Sequence, residues 1–107
     1  MTAHEPLISE QFRLAAKDWV EKDSAASLLE ETKSAVLSQR MQALGDMPVN
    51  RAELTVKASP EWHDFLRRMV DARTAANLAK VKCEWLRMRF SERQSAEATN
   101  RAEMKLA

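Results

Sequence analysis

Apolar residues recur at helical spacing along two long stretches of the chain. In the first, Ile8, Phe12, Ala15, Trp19, Ala26, Leu29, Val36, Leu37, Met41 and Leu44 lie mostly at steps that fit one face of an α-helix. Ser9 is placed to cap this helix at its start. The only glycine, Gly45, stands where a C-cap is wanted, and Asp46-Met47-Pro48 follows it, so the helix is predicted over about 9–44. The second stretch opens on Ser59-Pro60-Glu61: a capping serine, a proline where its missing N–H costs nothing, and an acid beside the positive end of the helix dipole. It predicts a helix over about 60–100, roughly 60 Å long at ~1.5 Å per residue. Residues 45–59 form the connector. Asn50 and Glu53 have capping-box spacing there for one or two helical turns, while Leu54, Thr55 and Val56 would also suit a short extended piece. The helical turn is the preferred reading.

Within the second helix, Trp62, Phe65, Met69, Ala72, Ala76, Ala79, Cys83, Leu86 and Phe90 occupy nine consecutive a and d positions of a heptad. This is a coiled-coil seam, small in the middle and large at both ends. Antiparallel pairing with the first helix sets Ala25 and Ala26 opposite Ala76 and Ala79, and brings Phe12, Ala15 and Trp19 near Leu86 and Phe90. The seam is flanked by Arg73, Lys80 and Arg87 on one side and by Arg68, Lys82 and Arg89 on the other. Two copies of it would repel, whereas the first helix offers acids at Asp18, Glu21, Asp23, Glu30 and Glu31. The expected fold is all-α: one helical domain over 1–107, a long antiparallel two-helix hairpin that is coiled-coil-like and oligomerises into a helical bundle. Oligomerisation is expected because a chain this short has a modest core.

Leu78, Val81, Trp85 and Met88 repeat as three, four, three on the side of the helix away from the seam. A helix with two apolar faces usually has two neighbours. Three covers are open: the bend of the first helix or the connector, a second copy in a symmetric dimer or higher oligomer, or a foreign protein. Trp85, large and flanked by Arg87 and Arg89, is the expected anchor of a partner-binding surface.

Composition supports helices. Hydrophobic residues make up 45% and charged residues 31%, with one Gly, three Pro and no Tyr. The net charge of +1 gives no global attraction for nucleic acid, so any basic surface is local. From Phe65 to Arg93, eight basic residues stand against three acids. Arg73, Lys80, Lys82, Arg87 and Arg89 are therefore candidates for contacts to nucleic acid or an acidic partner, set against the preferred reading of solvated flanks that satisfy acids on the first helix. No zinc-finger spacing, RNP pattern or helix-turn-helix signature accompanies them.

Catalytic chemistry finds no foothold in the pattern. His4 lies at the terminus, His63 stands beside Asp64 but points in a different direction on a helix, and Cys83 is a seam residue whose thiol is expected to be inert. With no P-loop, dinucleotide fingerprint or nucleophile elbow, no enzyme activity, cofactor or metal is expected. One cysteine excludes an intrachain disulfide and suits a reducing cytoplasm. No run approaches 18 apolar residues and the N-terminus lacks a basic region followed by an apolar one, so neither a membrane span nor a secretory signal is expected. The apolar periodicity weakens after residue 90 to Ala96, Ala98, Ala102, Met104 and Leu106, as in a segment that orders on contact.

The segments Val56-Lys57-Ala58-Ser59-Pro60-Glu61-Trp62, Met69-Val70-Asp71-Ala72-Arg73-Thr74-Ala75-Ala76-Asn77 and Asn100-Arg101-Ala102-Glu103-Met104-Lys105-Leu106 resemble small helical proteins of bacteriophage and prophage genomes. The resemblance covers roughly the C-terminal half. It implies a virus-encoded protein of the bacterial cytoplasm that works by occupying surfaces, such as a stoichiometric inhibitor of a host defence or nucleic-acid enzyme, or an accessory factor in phage recombination. It transfers no functional residues. The expected function is thus a non-enzymatic protein–protein interaction module that binds and modulates a host or phage protein. A nucleic-acid-associated accessory factor and a purely structural oligomerising subunit are the alternatives.

Overall fold

The computed structural model describes residues 7–106, which form three helices: α1 (Ile8–Ala43), α2 (Val49–Lys57) and α3 (Pro60–Leu106). Helix α1 starts one residue before Ser9. The Gln11 N–H donates to the Leu7 carbonyl at 2.9 Å and closes a turn there, so Leu7 is the N-cap, without a side-chain hydrogen bond, and Ser9 lies inside the first turn. At the other end Gly45 takes φ +79°, and its N–H donates to the Gln42 carbonyl at 3.1 Å. Left-handed backbone of this kind costs a side-chain-bearing residue more than it costs glycine.

The connector contains a nine-residue helix rather than one or two turns. It begins directly after Pro48, whose carbonyl accepts from the Ala52 N–H at 2.9 Å. Asn50 is consequently a first-turn residue and makes no cap, while Glu53 pairs with Lys57 at 2.7 Å instead of closing a capping box. The start of α3 follows the expected chemistry. Ser59 Oγ accepts from the Trp62 N–H at 3.2 Å and donates to the Val56 carbonyl at 2.6 Å, tying the end of α2 to the beginning of α3.

Helices α1 and α3 pack as an antiparallel hairpin 85 × 34 × 16 Å in extent. Helices with side chains are ~10–12 Å across, so the molecule is a plank little more than one helix thick. Two clusters close its ends. At the turn end Val56 of α2 joins Trp62 and Phe65, whose rings stack at 5.5 Å, against Leu37 and Met41 of α1. At the open end Cys83 and Leu86 pack with Ala15, Phe12 and Trp19. Between the clusters the helices approach on small residues, and Ala26 and Ala76 are both fully buried. Ala25, expected to share that contact, is exposed: one residue on a helix is a rotation of ~100°, and only Ala26 faces the partner.

All nine seam residues of α3 are buried or half-buried. Past Phe90 every described residue of α3 is exposed. The beginning of α1 lies beside Phe90, Arg93 and Glu97, where these residues share a concavity with Leu7 and Ile8. The last turns of α3 extend beyond the hairpin.

Candidate functional site

Leu78, Val81, Trp85 and Met88 lie on the side of α3 opposite its buried seam. At ~100° per residue, their three-four-three spacing keeps them in one line, roughly half a turn away from Ala79, Cys83 and Leu86. They remain 66%, 61%, 49% and 59% exposed, so neither α1 nor the connector covers them. Other large apolar side chains are exposed on α1, namely Leu14, Val20 and Leu28, but their steps of six and eight make no continuous line. Beside the stripe, Glu84, Arg87, Met88, Ser91 and Glu92 border an open concavity of about 490 Å³. The Arg89 guanidinium lies 5.0 Å from the centre of the Trp85 ring, a cation–π contact between residues four apart that the sequence spacing permits.

The five candidate cations divide into two groups. Arg73 faces α1: its Nε and Nη2 donate to the two carboxylate oxygens of Glu30 at 2.9 and 2.7 Å, and its Nη1 donates to Asp23 at 2.6 Å. Its Nη2 also reaches Ser27 Oγ at 3.3 Å. The hydrogen bond from Arg73 holds the Glu30 carboxyl below its ordinary pKa, and Glu30 and Asp23 in turn raise that of the guanidinium. Lys80 is also directed at α1, with its Nζ 5.9 Å from the centre of the Trp19 ring. Lys82, Arg87 and Arg89 are exposed. Of the acids proposed to receive the flanks, Asp23 and Glu30 do so, while Asp18 and Glu21 pair within α1 to Lys22 and Lys17.

His4 lies outside the described residues. His63 is exposed on α3 and Cys83 is buried in the seam. Among the described residues no three His, Cys, Asp or Glu side chains are grouped to hold a metal ion, and no helix is long and apolar enough to cross a membrane. One feature of the turn end had no signal in the sequence. Arg40, Leu44, Val56 and Glu61 border an open concavity of about 280 Å³, and Arg40 Nη1 is buried without a hydrogen-bond partner among the described residues. Compared with known proteins, the chain matches no family model, no curated protein and no solved structure.

Proposed function

We propose that this chain is a non-enzymatic protein–protein interaction module that docks another protein on the outer face of α3, with Trp85 as the anchor between Leu78, Val81 and Met88. The exposed stripe supports this reading. Four large apolar side chains aligned on the far side of a helix whose seam is already filled are the pattern of a helix with a second neighbour. Trp85 with a guanidinium over its face matches the aromatic and arginine enrichment of interface hot spots. If the phage resemblance reflects origin, such a module would modulate a host or phage protein by occupying its surface. The nucleic-acid alternative is weakened because Arg73 and Lys80, two of its five cations, are directed towards α1.

Site-specific photo-crosslinking in the producing cell tests the reading. A crosslinker in place of Trp85 should give a discrete protein adduct that disappears when Leu78 and Met88 are changed to Ala. A crosslinker at Ala35, exposed on α1, should give none. The same adducts from both positions, or none from position 85, would reject the stripe as an interface.

A further inference from the structure

Resting on the reading of the stripe as an interface, we infer that its occupant is a foreign amphipathic helix that carries acidic side chains along the edge facing Lys82 and Arg89. The two edges of the stripe differ in charge. Residues at heptad spacing along one edge are Ala75, Lys82, Arg89 and Ala96; along the other they are Asn77, Glu84 and Ser91. Lys82 and Arg89 stand two turns apart, ~10 Å along the axis. Neither forms an ion pair with any acid among the described residues. Arg89, with its guanidinium carbon 5.0 Å from the centre of the Trp85 ring, carries N–H donors suited to a carboxylate beside the anchor of the stripe.

A second copy of the chain fits this stripe poorly in either direction. The three-four-three spacing reads the same both ways, so an antiparallel copy sets Leu78 against Met88 and Val81 against Trp85. That same arrangement brings Lys82 to Lys82 on one edge and Glu84 to Glu84 on the other. A parallel copy in register sets Glu84 of each chain beside Arg89 of the other, but it opposes Asp71 to Asp71, one heptad before Leu78, and Glu92 to Glu92, one heptad after Trp85, in the line of the apolar contact itself. Like charges in facing positions are unfavourable in both cases. A foreign helix with an acidic edge avoids these clashes and neutralises Lys82 and Arg89. Four apolar side chains are few beside the ~20–30 residues per side of a standard interface, so the affinity is expected to be about micromolar.

The test uses the full chain and two synthetic amphipathic helical peptides with leucines at three-four-three spacing. One peptide has two glutamates seven residues apart on one edge; the other has lysines there. Tryptophan fluorescence and calorimetry measure binding, and sedimentation measures self-association. The glutamate peptide should bind, and the lysine peptide should bind roughly 3- to 30-fold more weakly. Lys82→Glu with Arg89→Glu should reverse the preference, and Trp85→Ala with Met88→Ala should abolish both while circular dichroism stays unchanged. Equal binding of the two peptides would overturn the acidic-edge assignment and leave the stripe as the interface. Binding of neither peptide would overturn both. A dimer that dissociates on losing Trp85 and Met88 would make a second copy the occupant. An oligonucleotide held through Lys82 and Arg89, with no need for Trp85 or Met88, would assign those cations to nucleic acid instead.

Discussion

Arg73 of α3 and Glu30 of α1 form a two-pronged pair, with Nε and Nη2 meeting the two carboxylate oxygens at 2.9 and 2.7 Å. The remaining arm reaches Asp23, seven residues earlier on α1, so one guanidinium spans two turns of its neighbour. Ala26 and Ala76, the fully buried small residues of α1 and α3, offer little shape to resist sliding of one helix along the other. The fork supplies a directional contact at that level.

The pair makes stability depend on pH through Glu30. Its carboxyl is held below the ordinary value of 4.5 by the hydrogen bond from Arg73. A group depressed in this way stabilises the fold above its unfolded-state pKa, and the contribution fades as pH falls through the folded-state value. Wild type should therefore melt above Glu30→Gln near neutral pH, and thermal scans of the two should converge as pH is lowered below 4.5. Glu10, also depressed by its bond to Arg13, is present in both chains and cancels in the comparison. Added salt should narrow the neutral-pH gap, because the pair is partly exposed.

Ala26 and Ala25 test the close approach from adjacent positions. Ala26 is fully buried, so Ala26→Leu forces extra side-chain volume between α1 and α3 and should cost about 2–3 kcal/mol in urea denaturation. Ala25 faces solvent, and Ala25→Leu should stay within about 0.5 kcal/mol of wild type. Equal effects at the two positions would mean that the helices are not in this register.

The contrast between these alanines shows where sequence reading stops. Heptad spacing locates the α3 seam because its nine apolar positions run without a polar interruption, and Ser59-Pro60-Glu61 marks its start because the capping chemistry is local. Choosing between Ala25 and Ala26 requires the rotation of α1, which its more scattered apolar residues define only loosely. The early start of α1 at Ile8 and the length of α2 depend on backbone bonds to Leu7 and Pro48 that compete with visible capping residues. For the candidate site, the stripe itself is a periodic signal readable in the chain. Its exposure, and the separation of Arg73 from Arg89, are long-range facts that only the packed hairpin reveals.

Arg40 gives a stabilising prediction. Its buried Nη1 lacks a hydrogen-bond partner among the described residues, and an unmet buried donor costs about 1–3 kcal/mol. Methionine keeps the unbranched apolar stem beside Leu44 and Val56 while removing that donor. Arg40→Met should raise the urea midpoint, by about 1 kcal/mol in stability, with no change in denaturant slope. A lower midpoint would indicate that the guanidinium is satisfied in solution.

The three tryptophans report on exposure separately, which makes the stripe accessible to a simple measurement. Trp62 is buried at the turn end, Trp19 is half-buried with Lys80 over its ring, and Trp85 is 49% exposed on the outer face of α3. Iodide should quench mainly Trp85, and the nearby Lys82 and Arg89 should enhance the effect by attracting the anion. Trp85→Phe should remove most of the quenchable emission, whereas Trp62→Phe should leave it. Lys82→Glu with Arg89→Glu should lower quenching by iodide and leave quenching by neutral acrylamide nearly unchanged, since only the anion responds to their charge. Equal losses with both quenchers would mean that the substitutions had buried Trp85 rather than altered the potential around it.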